Sequence, residues 1–542
     1  MAEEVNNSGE ESAGRDDAHL EIRGALGTIS QHDVGPRRGW RQRLLTLAAI
    51  VGPGLIVTVG DNDAGGVSTY SQAGQSYGTS LLWTLILLIP VLVVNQEMVV
   101  RLGAVTGVGQ ARLIIERFGR SWGWFSVADL FVLDFLTIVT EFIGVALALG
   151  YFGVSKYVAV PLAAAGLVAI TASGSFRRWE RFMLLFVAAN FLVIPLAIFS
   201  HPKAASVLHG LVVPGVRGGA NSTAVLLIIA IIGTTVTPWQ LFFQQSNIVD
   251  KRITPRWINY ERVDTIVGSL VTILGAGALM VTCAFAFDHT PLAGHYTDAA
   301  GVASGLGRFL HHGAGTLFAV ILLNASIIGA GAVTLATSYA FGDVFGAHHS
   351  LDRRFRDAKG FYASFTGLMA VAAGIVLIPH APLGLMTTLV QALTGLLVTN
   401  ATVFVLLLCN DRDVLGPWVN RTWFNAVAIV IVASLLVLSF ILVVTTVFPH
   451  ADVVRLTVIA GAVTLGGLLV VAVANQSSSR TAVRLVGEER RRRETWRMPP
   501  LALMGRPEWS RGRKIAMSSL RIYLVVAVVL LVVKAVQLGT GG

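Results

Sequence analysis

The sequence predicts an all-α membrane protein in which two five-helix repeats lie inverted against one another, with further helices at the C-terminal end. Three observations lead there. Hydrophobic residues make up 54% of the 542 and charged residues only 13%, with a mean hydropathy of +0.68, far from the balance of a soluble domain. Apolar stretches long enough to cross a bilayer recur along the chain. Two of them are broken at matching places: Gly60-Asp61-Asn62-Asp63-Ala64-Gly65-Gly66 interrupts 44–75, and Gly233-Thr234-Thr235-Val236-Thr237-Pro238 interrupts 222–247.

The N-terminal stretch 1–43 is acidic first and basic later and has no apolar core, so it reads as a disordered cytoplasmic tail and not as a cleaved signal peptide. Spans then follow at 44–75, 79–100, 124–152, 155–173, 181–200, 222–247, 262–288, 314–342, 360–379, 384–409, 422–448, 454–475 and 518–538, about 11 to 13 transmembrane helices in all. The broken spans are the first and the sixth, so the repeat unit is five helices long. An odd unit forces the second copy to be inserted upside down. Residues 44–200 and 222–410 are therefore expected to form inverted repeats of the LeuT type, with discontinuous helices 1 and 6 and a site between them at the midplane. Residues 422–542 supply peripheral helices and a basic loop.

Basic residues choose the orientation. The second, fourth, sixth and eighth loops carry Arg101/Arg112/Arg117/Arg120, Arg177/Arg178/Arg181, Lys251/Arg252/Arg256/Arg262 and Arg353/Arg354/Arg356/Lys359, whereas odd loops hold only scattered cases such as Lys156 and Arg217. This places a multi-pass protein in the cytoplasmic membrane with its N-terminus in the cytoplasm. The net charge of +10 does not call for nucleic acid: its densest piece, Arg490 to Arg493, sits beside a membrane helix, where anionic lipid headgroups are the natural partner. Cys283 and Cys409 lie far apart within spans and offer neither zinc spacing nor a disulfide framework.

The breaks carry the chemistry. Glycines and a proline weaken the helical ladder and free backbone carbonyls, which survive at membrane depth only around a protein-enclosed or watery cavity. A carboxylate at that depth costs at least about 2.5–3.5 kcal/mol, which marks Asp63 as functional. Asp63 offers a hard anionic oxygen, Asn62 an amide oxygen, and Gly65 and Gly66 let carbonyls turn inward. The competing reading is that Asp61 or Asp63 simply caps the half-helix that follows, Asp61 facing an aqueous vestibule. Thr234 and Thr237 are one helical turn apart and can point oxygens at one place; alternatively each bonds back to its own helix. In the third span Asp134 and Glu141 share a face and, with Asp129, either line an aqueous pathway or make structural hydrogen bonds. Gln391 is a further polar candidate, although one membrane glutamine often serves to join helices. All twelve histidines fall in the tail, loops or helix ends, leaving none in the expected cavity as a proton shuttle.

These residues resemble the NRAMP family of divalent-metal transporters over about 44–410. Gly52-Pro53-Gly54-Leu55, Asp63-Ala64-Gly65-Gly66, Gln72-Ala73-Gly74 and Arg101-Leu102-Gly103 with Thr106-Gly107 follow that family's first two helices in order. Of its Asp-Pro-Gly-Asn motif, Asp63 and Gly65 match, while Ala64 replaces the proline and Gly66 the metal-binding asparagine. Its sixth-helix Met-Pro-His lines up with Thr237-Pro238-Trp239, preceded by Thr234 at the carbonyl-donating position. A further family histidine falls at Gln244, and of the third-helix acid pair Glu141 is kept while Ile138 replaces the aspartate.

The departures share one direction. Losing a thioether removes a penalty against hard ions, and Gly66 and Thr237 leave room for an ion that keeps its waters. The pattern resembles the NRAMP-related magnesium transporters. That resemblance implies a transporter, not an enzyme, that imports hydrated Mg²⁺ and also Mn²⁺ by alternating access around Asp63, Thr234 and Thr237. Gly66, Asn62, Asp61, Gly65, Gln391 and Trp239 would line the site, Glu141 and Asp134 an aqueous pathway, with no cofactor and no proton coupling. The rivals are a proton-coupled Mn²⁺/Fe²⁺ transporter, an amine or amino-acid transporter of the same fold, which Asp63 opposes if the substrate brings a carboxylate, and a transport-dead sensor.

Overall fold

A computed structural model describes residues 21–31, 33, 35, 37–172, 174–219, 221–346, 350–351, 357–379, 383–448, 451–476, 493, 496–505, 514, 517–526 and 528–529. The chain enters through a hairpin, β1 (Glu21–Gly24) and β2 (Gly27–Ser30), whose Ile22 and Ile29 stand opposite each other and are both buried. The expectation of a disordered tail across 1–43 is therefore corrected from residue 21 onward. The reason is packing: the hairpin docks on α1 (Trp40–Ile50), so closely at Gly24 that a Cβ would overlap the Ala49 carbonyl. A four-residue strand shows too little of a two-residue period to be read from sequence. Residues 1–20 and Arg490 to Arg492 of the basic loop lie outside the described residues.

The first span has two interruptions. Between α1 and α2 (Pro53–Val59) the axis bends by 57° at Gly52, whose φ of +146° only glycine adopts easily. The second interruption, Gly60 to Asp63, precedes α3 (Ala64–Tyr77). Next come α4 (Leu82–Thr106), closed by Gly107 in the left-handed region, the short α5 (Gln110–Phe118), α6 (Arg120–Tyr151) and α7 (Lys156–Thr171). The fifth span joins α8 (Phe176–Ala189) to α9 (Val193–Phe199), and α10 (Ala204–Val212) leads into the second repeat. There α11 (Ser222–Thr235), capped by Asn221, stops at Val236 and Thr237 before Pro238 opens α12 (Pro238–Asp250), the first-turn position that proline suits. The remaining long helices are α13 (Ile258–Ala286), α14 (Ala299–Phe309), α15 (His312–Phe345), α16 (Lys359–Val376), α17 (Leu383–Cys409), α18 (Thr422–Val447) and α19 (Val453–Gln476), with a single turn at Arg412–Leu415 between α17 and α18.

Among the described residues nine helices are long and apolar enough to cross a membrane, ten if the bent pair counts as one span, and the shorter Lys156–Thr171, Val453–Gly467 and Met517–Val526 stand where the sequence predicts further spans. Packing follows the inverted repeat. The seventh span, α13, lies along α2 and α3 of the first, and the second span, α4, lies along α12 of the sixth, so a shift of five helices exchanges the two pairs. The third and eighth spans, α6 and α15, pack on each other and map onto themselves. They approach closely because α15 is rich in small residues, with Gly329 beside the Glu141 carboxyl.

Candidate functional site

The helix before the first break does not end cleanly. The Asp61 and Asn62 N–H groups bond three residues back, to Thr58 and Val59 at 3.2 and 3.1 Å, a tightened turn that leaves later carbonyls without helical donors. Asp63 then caps α3: its Oδ1 accepts from the Gly66 N–H at 2.6 Å. Capping and ion binding were alternatives at the level of sequence, yet the geometry separates them by oxygen, because the buried Oδ2 of Asp63 receives no donor among the described residues. Glu141 of α6 accepts from the Ala64 N–H at 3.1 Å through Oε2, while its Oε1 is likewise without a donor. The Asp63 and Glu141 carboxyls lie within hydrogen-bonding reach of each other, but as carboxylates both are acceptors and neither satisfies the other.

Across from them, the Thr237 hydroxyl donates to Asp61 Oδ1 at 3.0 Å, and Asp61 Oδ2 has no donor. Thr237 is thus tied to Asp61, and the buried Asp61 does not face an open vestibule. Thr234 is buried with its hydroxyl unpartnered, so it does not bond back to its own helix. The backbone carbonyl of Asp61 and the Thr234 hydroxyl both border the place a side chain at Gly66 would occupy, 2.8 and 3.2 Å from its Cβ position. Gly65 is pressed against the Gln391 amide, leaving no room for a Cβ. Trp239 is buried with its ring under Gly60.

Asn62 donates its Nδ2 amide to the Thr272 carbonyl of α13 at 3.0 Å, which anchors the break to the seventh span, while its buried Oδ1 has no donor among the described residues. Asp134 accepts from Thr337 of α15 at 2.7 Å, and Asp129 from Asn400 of α17 at 2.8 Å; seven residues along α6 put Asp134 about 10 Å from Glu141. Sequence reasoning missed Tyr70, whose hydroxyl lies 2.8 Å from that of Thr235, and Gln240, which donates to the freed Thr235 carbonyl at 3.1 Å and accepts from Gln96 at 2.6 Å. No local signal marks them, because their partners are far away in the chain or hidden in an ordinary helix.

Three buried carboxylates therefore surround the breaks, each with one oxygen lacking a donor, and their partners are a hydroxyl, the Gln240 amide and backbone N–H groups, not arginine or lysine. Uncompensated buried charge is costly, several kcal/mol per ion, and a cation relieves it. Among the described residues no three His, Cys, Asp or Glu side chains converge on one metal position, so carbonyl and hydroxyl oxygens and water must complete any coordination shell.

A second polar cluster holds the start of the first span. Lys251 donates to the Ile50 and Val51 carbonyls at 2.7 and 3.0 Å and to Glu180 Oε1 at 2.6 Å. Asp264 of α13 accepts from the Gly52 and Gly54 N–H groups at 3.1 and 2.8 Å. The hairpin joins the same cluster through the Ala25 N–H, which donates to Glu180.

The family model described as natural resistance-associated macrophage protein-like (Nramp) matches residues 54–445. The divalent metal cation transporter MntH of Klebsiella pneumoniae (strain 342) is 28% identical over 405 residues, which are 72% of this chain and 92% of that protein. MntH of Aeromonas hydrophila is 26% identical over 411 residues, covering 72% and 94%. Among solved structures, the Eremococcus coleocola manganese transporter in complex with an aromatic bis-isothiourea substituted compound superposes with a TM-score of 0.62 at 20% identity, covering 84% of this chain and 98% of that one. The likeness is one of fold.

Proposed function

Since the chain belongs to the natural resistance-associated macrophage protein-like (Nramp) family, we propose that it is a divalent-metal transporter of the cytoplasmic membrane that imports hydrated Mg²⁺, and also Mn²⁺, by alternating access and without proton coupling. One observation carries the reading: Asp61, Asp63 and Glu141 keep donor-free oxygens around two helix breaks, and the residues of those breaks contain oxygen donors and no sulfur. A hard cation suits such a set, whereas softer ions gain from a thioether. At Gly66 no side chain intervenes between the Asp61 carbonyl and the Thr234 hydroxyl, which stand 2.8 and 3.2 Å from its Cβ position, so two further hard oxygens meet at the break, the donor type that Mg²⁺ takes. A negative interior favours entry of a divalent ion by about 4.6 kcal/mol at 100 mV, twice the ~2.3 kcal/mol per unit charge, so uptake needs no second ion.

Proton-coupled Mn²⁺/Fe²⁺ transport remains the second reading, favoured by the closeness of Asp63 and Glu141, a carboxyl pair able to share a proton. Flux into liposomes, compared for Mg²⁺, Mn²⁺ and Ca²⁺ with and without a pH gradient, separates the two. Mg²⁺ uptake that is indifferent to the gradient supports the proposal; absence of Mg²⁺ uptake beside proton-linked Mn²⁺ uptake overturns it.

A further inference from the structure

We propose that the crevice between α4 and α18 binds one anionic phospholipid, with its phosphate in an arginine pocket and an acyl chain in the apolar cavity next to it. The pocket, of about 320 Å³, gathers Arg101 from α4, Arg262 from α13, Arg421 at the start of α18, and Arg493. Among the described residues that line it Glu97 is the one carboxylate, which leaves those residues an excess of three positive charges. It accepts from Arg101 at 2.9 Å and from Arg262 at 2.6 Å, which fixes both guanidiniums without cancelling the site. Trp418 supplies a carbonyl to Arg101 at 2.7 Å, and its ring lies under Arg493 at 5.6 Å. Four like charges drawn from separate parts of the chain repel one another, and a phosphate relieves that repulsion while matching the planar donor forks of arginine.

The cavity beside it, of about 790 Å³, is lined by Pro90 and Val91 of α4, Val427, Val430 and Ile431 of α18, and Gly461 of α19. The same two helices build both sites. On α18 the charged pocket ends at Phe424 and the apolar cavity begins at Ala426. On α4 the distance from Pro90 to Arg101 is about 16 Å at 1.5 Å per residue, roughly one leaflet of a hydrocarbon core of about 30 Å. A soluble anion has no use for the apolar part, and a zwitterionic lipid no use for three extra positive charges. Trp418 and the exposed Trp423 add the aromatic side chains that favour the headgroup level.

The test uses the purified full chain, with lipid retention read by native mass spectrometry and stability by thermal unfolding, against phosphatidylglycerol, phosphatidylcholine and inorganic phosphate. Phosphatidylglycerol should be retained and raise the midpoint, and phosphatidylcholine should not. Arg421→Ala and Arg262→Ala should each weaken phosphatidylglycerol binding about five-fold, as expected of ~1 kcal/mol per basic residue. Gly461→Phe, at a position where a Cβ meets open space, should weaken lipid retention and leave the effect of inorganic phosphate unchanged. Equal retention of both lipids overturns the proposal. So does protection by inorganic phosphate equal to that by the lipid, which would make this an anion pocket alone, and so does an arginine variant that binds phosphatidylglycerol like the wild type. If the arginine variants do not fold, the wild type decides: its preference for phosphatidylglycerol should fade at high salt, and a salt-independent preference overturns the proposal.

Discussion

Asp63 has two oxygens in two roles, and that division can be tested by chemistry. Oδ1 caps α3 and Oδ2 is free of donors. Asparagine caps as well as aspartate but brings no charge, so Asp63→Asn should keep thermal stability within about 0.5 kcal/mol of the wild type, whereas Asp63→Ala should lose about 1 kcal/mol with the cap. Both variants should lose Mg²⁺ and Mn²⁺ uptake into liposomes by tenfold or more; near-normal flux in Asp63→Asn would move the ion elsewhere. A second test lies at Thr237. Replacing it with methionine removes the hydroxyl bound to Asp61 and adds a sulfur, so Thr237→Met should shift competition in favour of Mn²⁺ and Cd²⁺ over Mg²⁺. Enlarging Gly66 is a poorer probe, because a Cβ there stands 2.8 Å from the Asp61 carbonyl and strains the break itself. An unchanged Mg²⁺/Mn²⁺ ratio in Thr237→Met would remove this residue from selectivity.

At the level of elements, α2 is held at its start by Lys251 and Asp264, and the hairpin closes over the same cluster. Lys251 and Glu180 are both fully buried, so taking away one partner strands the other. Lys251→Met should destabilise the protein by about 3–5 kcal/mol and raise hydrogen exchange across residues 40–59, and the double variant Lys251→Met/Glu180→Gln should recover part of both. Unchanged exchange in the single variant would show that the clasp does not hold α2. None of this was legible in the sequence, although both breaks were. A glycine, a proline or an aspartate inside an apolar run is a local signal, and Gly60 to Asp63 and Val236 to Pro238 interrupt their helices where those signals stand. The clasp joins residues 71 and 201 positions apart, and nothing within a few residues of Lys251 tells its buried amine from a loop lysine. Thr237 lies between these cases: its position was visible, while its bond to Asp61, 176 residues away, was not.

Over the whole molecule, the question is what drives the ion across. Arg101, Arg262, Arg421 and Arg493 meet in one pocket, so the segments that carry them open on one side, as the alternation of basic loops requires. If that side is the cytoplasm, the membrane potential draws divalent cations towards it by about 4.6 kcal/mol at 100 mV, which corresponds to more than a thousandfold accumulation. Proton coupling would need a carrier path. Glu141 beside Asp63 and Asp134 about 10 Å further along α6 supply carboxyls, but Asp134 is bound to Thr337 and Asp129 to Asn400, and at the breaks themselves no histidine occurs. Mn²⁺ uptake into liposomes should therefore rise with an inside-negative potential and leave the lumenal pH unchanged while the potential is clamped. Glu141→Gln should then alter the uptake rate without changing its response to a pH gradient, since a side chain that only lines the path carries no proton. Lumenal acidification that accompanies Mn²⁺ entry at clamped potential, and that disappears in Glu141→Gln, would assign the carboxyl pair to proton transfer and return the protein to the coupled mechanism.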